Sequence, residues 1–158
     1  MSDRRTLDAE RALAMLAGPI RRLQRSLADD AALFPLTPET VVAADEKTID
    51  AFLQRYQQVA DLILRKAFPR LLAALEQRDE RVRFRDMLDE LERYGMIDSA
   101  DFWSDVNDQR NRLVHEYAME PAERAAELNR AWAFAPALVE AVERCARLCG
   151  CRPLFRLA

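Results

Sequence analysis

Residues 48–67 read TIDAFLQRYQQVADLILRKA, and the spacing of their apolar positions decides the fold class. Ile49, Phe52, Tyr56, Val59, Ile63 and Ala67 follow one another at steps of three and four. That interval lines one face of an α-helix, whereas a half-buried strand would alternate every second residue. Thr48 stands where an N-cap is expected, because its hydroxyl can accept from an otherwise unpaired amide of the first turn. Pro69 should bend the helix before Leu71, Leu72 and Leu75.

The same periodicity recurs on both sides. Upstream, a helical segment spans about Thr6 to Leu33, with Leu7, Leu13, Leu16, Ile20, Leu23 and Leu27 on one stripe and a break or kink expected at Gly18-Pro19. A loop from Phe34 to Asp45 follows. Downstream, a third helix spans about Phe84 to Tyr94 and stops at Gly95, the usual left-handed cap position. Asp98 or Ser99 caps a fourth helix carrying Phe102, Trp103 and Val106. Pro121 opens a fifth, with Leu128, Trp132, Ala135, Leu138, Val142 and Cys145 at core spacing and a kink expected at Pro136. No internal repeat or strand-like alternation is visible. The expectation is an all-α antiparallel bundle of about five helices, some kinked at proline, forming a single domain over residues 1–158.

Charge narrows the function classes. A net charge of −3 gives no bulk nucleic-acid signature. All the cations except Lys47 and Lys66 are arginine, and they cluster as Arg78, Arg81, Arg83 and Arg85, and as Arg144, Arg147, Arg152 and Arg156 with no acid after Glu143. A GC-rich genome accounts for arginine usage of this kind; a local RNA-facing patch is the other reading, because steering follows charge distribution rather than the sum. Apolar runs are too short to cross a bilayer, and Arg4, Arg5, Asp8 and Glu10 interrupt any signal-peptide core, so a cytoplasmic protein is expected. Cys145, Cys149 and Cys151 lack a fourth zinc ligand and read as small buried apolar residues.

The chemistry-bearing stretch is Arg110-Asn111-Arg112-Leu113-Val114-His115-Glu116-Tyr117, which contains the only histidine of the chain. Arginine supplies a permanent forked donor set for phosphate oxygens, and histidine a group that exchanges a proton near neutrality. On an ideal helix, side chains five residues apart diverge by about 140°. Either the helix unwinds between Arg110 and His115, or a second copy of the chain completes the site across a two-fold axis. Simpler readings exist for each residue. His115 could be a satisfied structural histidine near a helix end, Arg110 could pair with Asp108 or Glu116 on a solvated face, Asn111 could be a local cap, and Tyr117 could be a core-edge aromatic. Phe102, Trp103 and Trp132 read as core or dimer interface, since helical spacing already explains them. A metal-binding bundle is disfavoured, because Arg112 stands three before His115 and there is no second histidine.

The Arg110-Asn111-x3-His115 pattern resembles the Arg-x(4–6)-His motif of HEPN domains, and its extension to Tyr117 resembles the Arg-x4-His-x-Tyr form of HepT-type toxins and of related nucleotidyltransferase substrate-binding proteins. Leu91 to Asp98, followed by Phe102-Trp103, is similar to the approach to the site in those proteins, and the matching stretch covers about Thr48 to Leu148. The resemblance implies a helical homodimer and a metal-independent, cofactor-free endoribonuclease that leaves a cyclic phosphate end. Arg110 and His115 would be catalytic, and Asn111 would orient the site or bind phosphate. Tyr117 would be the residue that a cognate minimal nucleotidyltransferase antitoxin modifies with AMP. The alternative is a non-catalytic docking or substrate-presenting subunit of a separately encoded nucleotidyltransferase. The RNA substrate, whether tRNA, mRNA or an invader's transcript, is not specified by these residues.

Overall fold

The computed structural model describes residues 2–76 and 82–151. Among them there are eight α-helices and no strand: α1 (Ser2–Ala14), α2 (Ala17–Asp29), α3 (Pro38–Ala43), α4 (Glu46–Leu62), α5 (Phe68–Glu76), α6 (Phe84–Arg93), α7 (Ala100–Leu113) and α8 (Pro121–Leu148). A π turn at Ile63–Ala67 joins α4 to α5 as one continuous rod, so seven separate helices replace the five expected. Arg78, Arg81, Arg152 and Arg156 of the two arginine clusters lie outside the described residues.

Proline chemistry explains where the rods change course. Pro19 has no N–H for the Met15 carbonyl and crowds it, so the chain leaves the helix at Met15-Leu16, a turn earlier than Gly18-Pro19. Pro69 cannot serve the Arg65 carbonyl, and the backbone widens instead of bending, with Phe68 N–H reaching the Ile63 carbonyl five residues back. Pro136 is exposed, and α8 runs through it to Leu148.

Two caps differ from expectation. The segment before α4 is not all loop, because Thr37 and Thr40 cap each other reciprocally and Pro38 opens the short α3. α4 begins two residues before Thr48, because Asp45 caps it and accepts from both the amide and the hydroxyl of Thr48. Ser99 caps α7, settling that choice, while Asp98 pairs with Arg144 of α8.

The long rods alternate in direction. α1 lies on α5 and α2 on α4, so the first pair runs antiparallel to the α4–α5 rod. Trp103 of α7 packs edge-on to Phe68 at 4.8 Å, while Tyr56, earlier in the rod, bonds Gln109, later in α7; these two also run antiparallel. α8 returns against α7, with Glu127 facing Gln109 and Arg144 facing Asp98. One core joins Leu13, Ile20, Phe52, Ile63, Trp103, Leu128 and Val142, and Trp132 stacks on Phe34 at 4.0 Å. Leu7 is exposed, out of phase with the stripe that begins at Leu13.

Two helices end in the same motif. Gly95 at φ 72° and Gly150 at φ 68° follow α6 and α8, and the next residues turn back: Met96 N–H to the Leu91 carbonyl and Cys151 N–H to the Ala146 carbonyl, each at 2.9 Å. This geometry accounts for the cysteines. Cys151 tucks under the end of α8, Cys145 is fully buried, and all three thiols are free.

Candidate functional site at the end of α7

α7 is held rigidly just before the motif. Gln109 is fully buried; its Oε1 accepts from the Tyr56 hydroxyl at 2.7 Å, and its Nε2 donates to the Glu127 carbonyl at 2.9 Å. One amide thus ties α7 to both α4 and α8. Burial, with the charge of Glu127 in second place, pushes the Tyr56 hydroxyl pKa well up, so it stays a donor.

Arg110 is the next residue. Its Nη2 donates to Asp61 Oδ2 of α4 at 2.6 Å, and its Nη1 reaches Asn111 Oδ1 at 3.3 Å. Neither Asp108 nor Glu116 is its partner. The side chain is 22% exposed, and its Nε is buried without a hydrogen-bond acceptor. Asp61 Oδ1, also buried without a hydrogen bond, faces Arg65 Nε at 3.5 Å. Asn111 is exposed and acts on Arg110 rather than as a cap.

The helix ends at Leu113. Val114 and His115 form a turn, and Glu116–Ala118 a single 3₁₀ turn. Glu116 is the anchor of this turn. Its Oε2 accepts from Arg124 Nε at 2.5 Å, and Arg124 also grips Glu46 through two bonds of 3.1 and 3.2 Å. The hydrogen bonds to Glu46 and then Glu116 raise the Arg124 pKa against the opposing effect of burial. With side chains about 120° apart on a 3₁₀ turn, an inward Glu116 sends its two neighbours outward. His115 is exposed, Tyr117 is 79% exposed, and their rings lie 6.4 Å apart, edge to face. Tyr117 is therefore not a core-edge aromatic.

These anchors reach different ends of α4. Arg110 is tied to Asp61 at one end of α4, and the turn after His115 is tied through Arg124 to Glu46 at the other, about 22 Å away along the axis. The helix does unwind between Arg110 and His115, and within one chain Arg110 and the turn that carries His115 are tied to different partners. His115 and Tyr117 are brought together; Arg110 and Asn111 form a second group with Asp61.

Asp61, Arg65 and Arg124 escaped the sequence reading, and Glu116, expected as a partner of Arg110, pairs with Arg124 instead. Asp61 and Arg65 have i,i+4 spacing that is visible in the sequence, but their meeting with Arg110 depends on tertiary packing. No group of three or more potential ligands among the described residues is arranged to hold a metal ion, and no helix there is long and apolar enough to cross a membrane. Comparison with known protein families, curated proteins and solved structures finds no match to this chain.

Proposed function

We propose that the chain is a metal-independent endoribonuclease toxin of the HEPN type, working as a homodimer. The observation that carries this is that Arg110 and the turn bearing His115 are tied to different ends of α4, while His115 and Tyr117 stay open to solvent. A single chain offers two half-sites, and a two-fold axis over the end of α7 supplies each with its complement. In the assembled site one His115 removes the proton from a ribose 2′-hydroxyl, whose oxygen attacks phosphorus. The other protonates the departing 5′-oxygen, leaving a 2′,3′-cyclic phosphate and a free 5′-hydroxyl. Arg110 stabilises the negative charge gathered on the phosphoryl oxygens, oriented by Asn111.

Silencing follows from the same surface. Tyr117 is open to a cognate nucleotidyltransferase antitoxin, and AMP on its hydroxyl sets a phosphate beside His115, repelling RNA and blocking the cleft. A second reading has one observation in its favour. Arg110 is already paired with Asp61, as suits a docking or substrate-presenting subunit that holds a nucleotide without cutting RNA.

Cleavage of total tRNA in excess EDTA separates the two, comparing wild type with His115→Ala after intact mass has shown Tyr117 unmodified. Cutting by wild type alone, with cyclic phosphate ends, supports the nuclease; no cutting by either moves the assignment to the binding subunit. Mixing wild-type and His115→Ala chains tests the composite site, which loses activity out of proportion to dilution.

A further inference from the structure

The geometry points to Arg65 as a second ligand for substrate phosphate, mounted on the π turn and held beside Arg110 by Asp61. This inference rests on the ribonuclease reading and extends its site from α7 onto the α4–α5 rod.

A single carboxylate serves both guanidinium groups: Oδ2 bonds Arg110 at 2.6 Å, and Oδ1 faces Arg65 at 3.5 Å. One anion between two cations leaves an excess positive charge, which an arriving phosphate neutralises. The two arginines are held differently. Arg110 is 22% exposed and makes a short bond, so it is the fixed member. Arg65 is 57% exposed and makes a long one, and such a surface pair is easily exchanged for a phosphate oxygen. The bonds to Asp61 and Asn111 engage one N–H each of Nη2 and Nη1, so the partly exposed Arg110 guanidinium keeps further Nη donors after pairing.

The backbone supplies the rest. Pro69 forces the π turn, and π turns recur at functional sites because they re-aim side chains that a regular helix would place elsewhere. Cations one carboxylate's width apart can meet two oxygens of one phosphate or neighbouring phosphates of a flexible strand. The substrate class is thus single-stranded or looped RNA, gripped here by its backbone without reading bases. Asp61 touches no substrate in this scheme; it is a positioning residue.

The test uses a fluorescein-labelled 2′-O-methyl RNA oligonucleotide, which cannot be cut, titrated by anisotropy at several salt concentrations. Arg65→Ala should raise Kd about fivefold at 0.1 M salt and make the salt slope shallower by about 0.7, the loss of one phosphate contact on a single strand. Arg65→Lys should keep the slope. Arg25→Ala, an exposed arginine of α2, should change neither quantity. An Arg65→Ala slope equal to wild type, or an equal effect from Arg25→Ala, overturns the assignment.

On cleavable RNA, Arg65→Ala should raise KM and keep kcat. Asp61→Asn should lower kcat and keep the salt slope, since both cations remain; loss of that slope overturns the positioning role. Wild type that binds the probe and cuts nothing refutes the nuclease reading, and the salt slopes still decide Arg65. Wild type that cuts while Arg65→Ala binds unchanged refutes this inference alone.

Discussion

Replacing Gln109 by leucine tests the bridge that holds the candidate site. The two side chains are close in size, so little cavity forms. What changes is hydrogen bonding at a position with no solvent access. The Tyr56 hydroxyl loses the Oε1 acceptor at 2.7 Å and is left as a buried orphan donor, at a cost of about 1–3 kcal/mol. The Glu127 carbonyl loses its bond from Nε2 but sits inside α8, where the amide four residues on still serves it, so that side costs about 1 kcal/mol. The expected destabilisation is about 2–4 kcal/mol, read from urea unfolding as a lower midpoint at unchanged m. Tyr56→Phe adds a cycle. Alone it leaves the glutamine oxygen unpaired, whereas with leucine at 109 it restores an apolar pair, so the double variant should cost about 1–2 kcal/mol less than the sum. A single-variant change under about 1 kcal/mol, or strict additivity in the cycle, would refute the bridge.

Gly95→Ala meets no atom within 4 Å but must adopt φ near 72°, so it should lose about 1–2 kcal/mol purely from backbone strain; an unchanged urea midpoint would contradict the left-handed cap. Burial pushes the Cys145 thiol up from 9.0 to about 12 and the Cys151 thiol up to about 11. Because folding favours the protonated thiols, their contribution is complete below pH 9 and is lost as pH rises through 11 and 12. Unfolding midpoints measured from pH 8 to 11 should fall, and Cys145→Ala should flatten that fall; equal slopes would rule out the linkage. On the proposed function, Tyr117→Phe should fold as wild type does and, unlike wild type, gain no AMP when incubated with the proposed nucleotidyltransferase partner and ATP. Intact mass is the readout, and AMP found on the variant would reassign the acceptor.

Much of the fold was legible in apolar spacing. Ile49, Phe52, Tyr56, Val59 and Ile63 are all buried, as their three-and-four intervals require. The cap at Gly95, a cap at Asp98 or Ser99 and the start at Pro121 were readable because they depend on neighbours one to four residues away; the structure chose Ser99. The misses were local contests between residues that are each competent. Asp45 took the cap expected of Thr48, the two threonines of α3 closed a helix inside a presumed loop, and Pro69 widened its rod where a bend was expected.

The candidate site divides along the same line. The chain alone determined that Arg110, Asn111, His115 and Tyr117 fall within eight residues on a helical segment that closes before Pro121, since chain connectivity and helix period are local properties; that the helix ends at Leu113 came from the structure. Only the tertiary structure decided what each faces. Asp61 lies 49 residues from Arg110 and Glu46 lies 78 from Arg124, so no periodicity within a segment encodes those pairings. They arise because burying the stripes of α4, α7 and α8 in one core leaves their polar edges in fixed register. Those edges then hold Arg110 toward one end of α4 and leave His115 and Tyr117 free at the other.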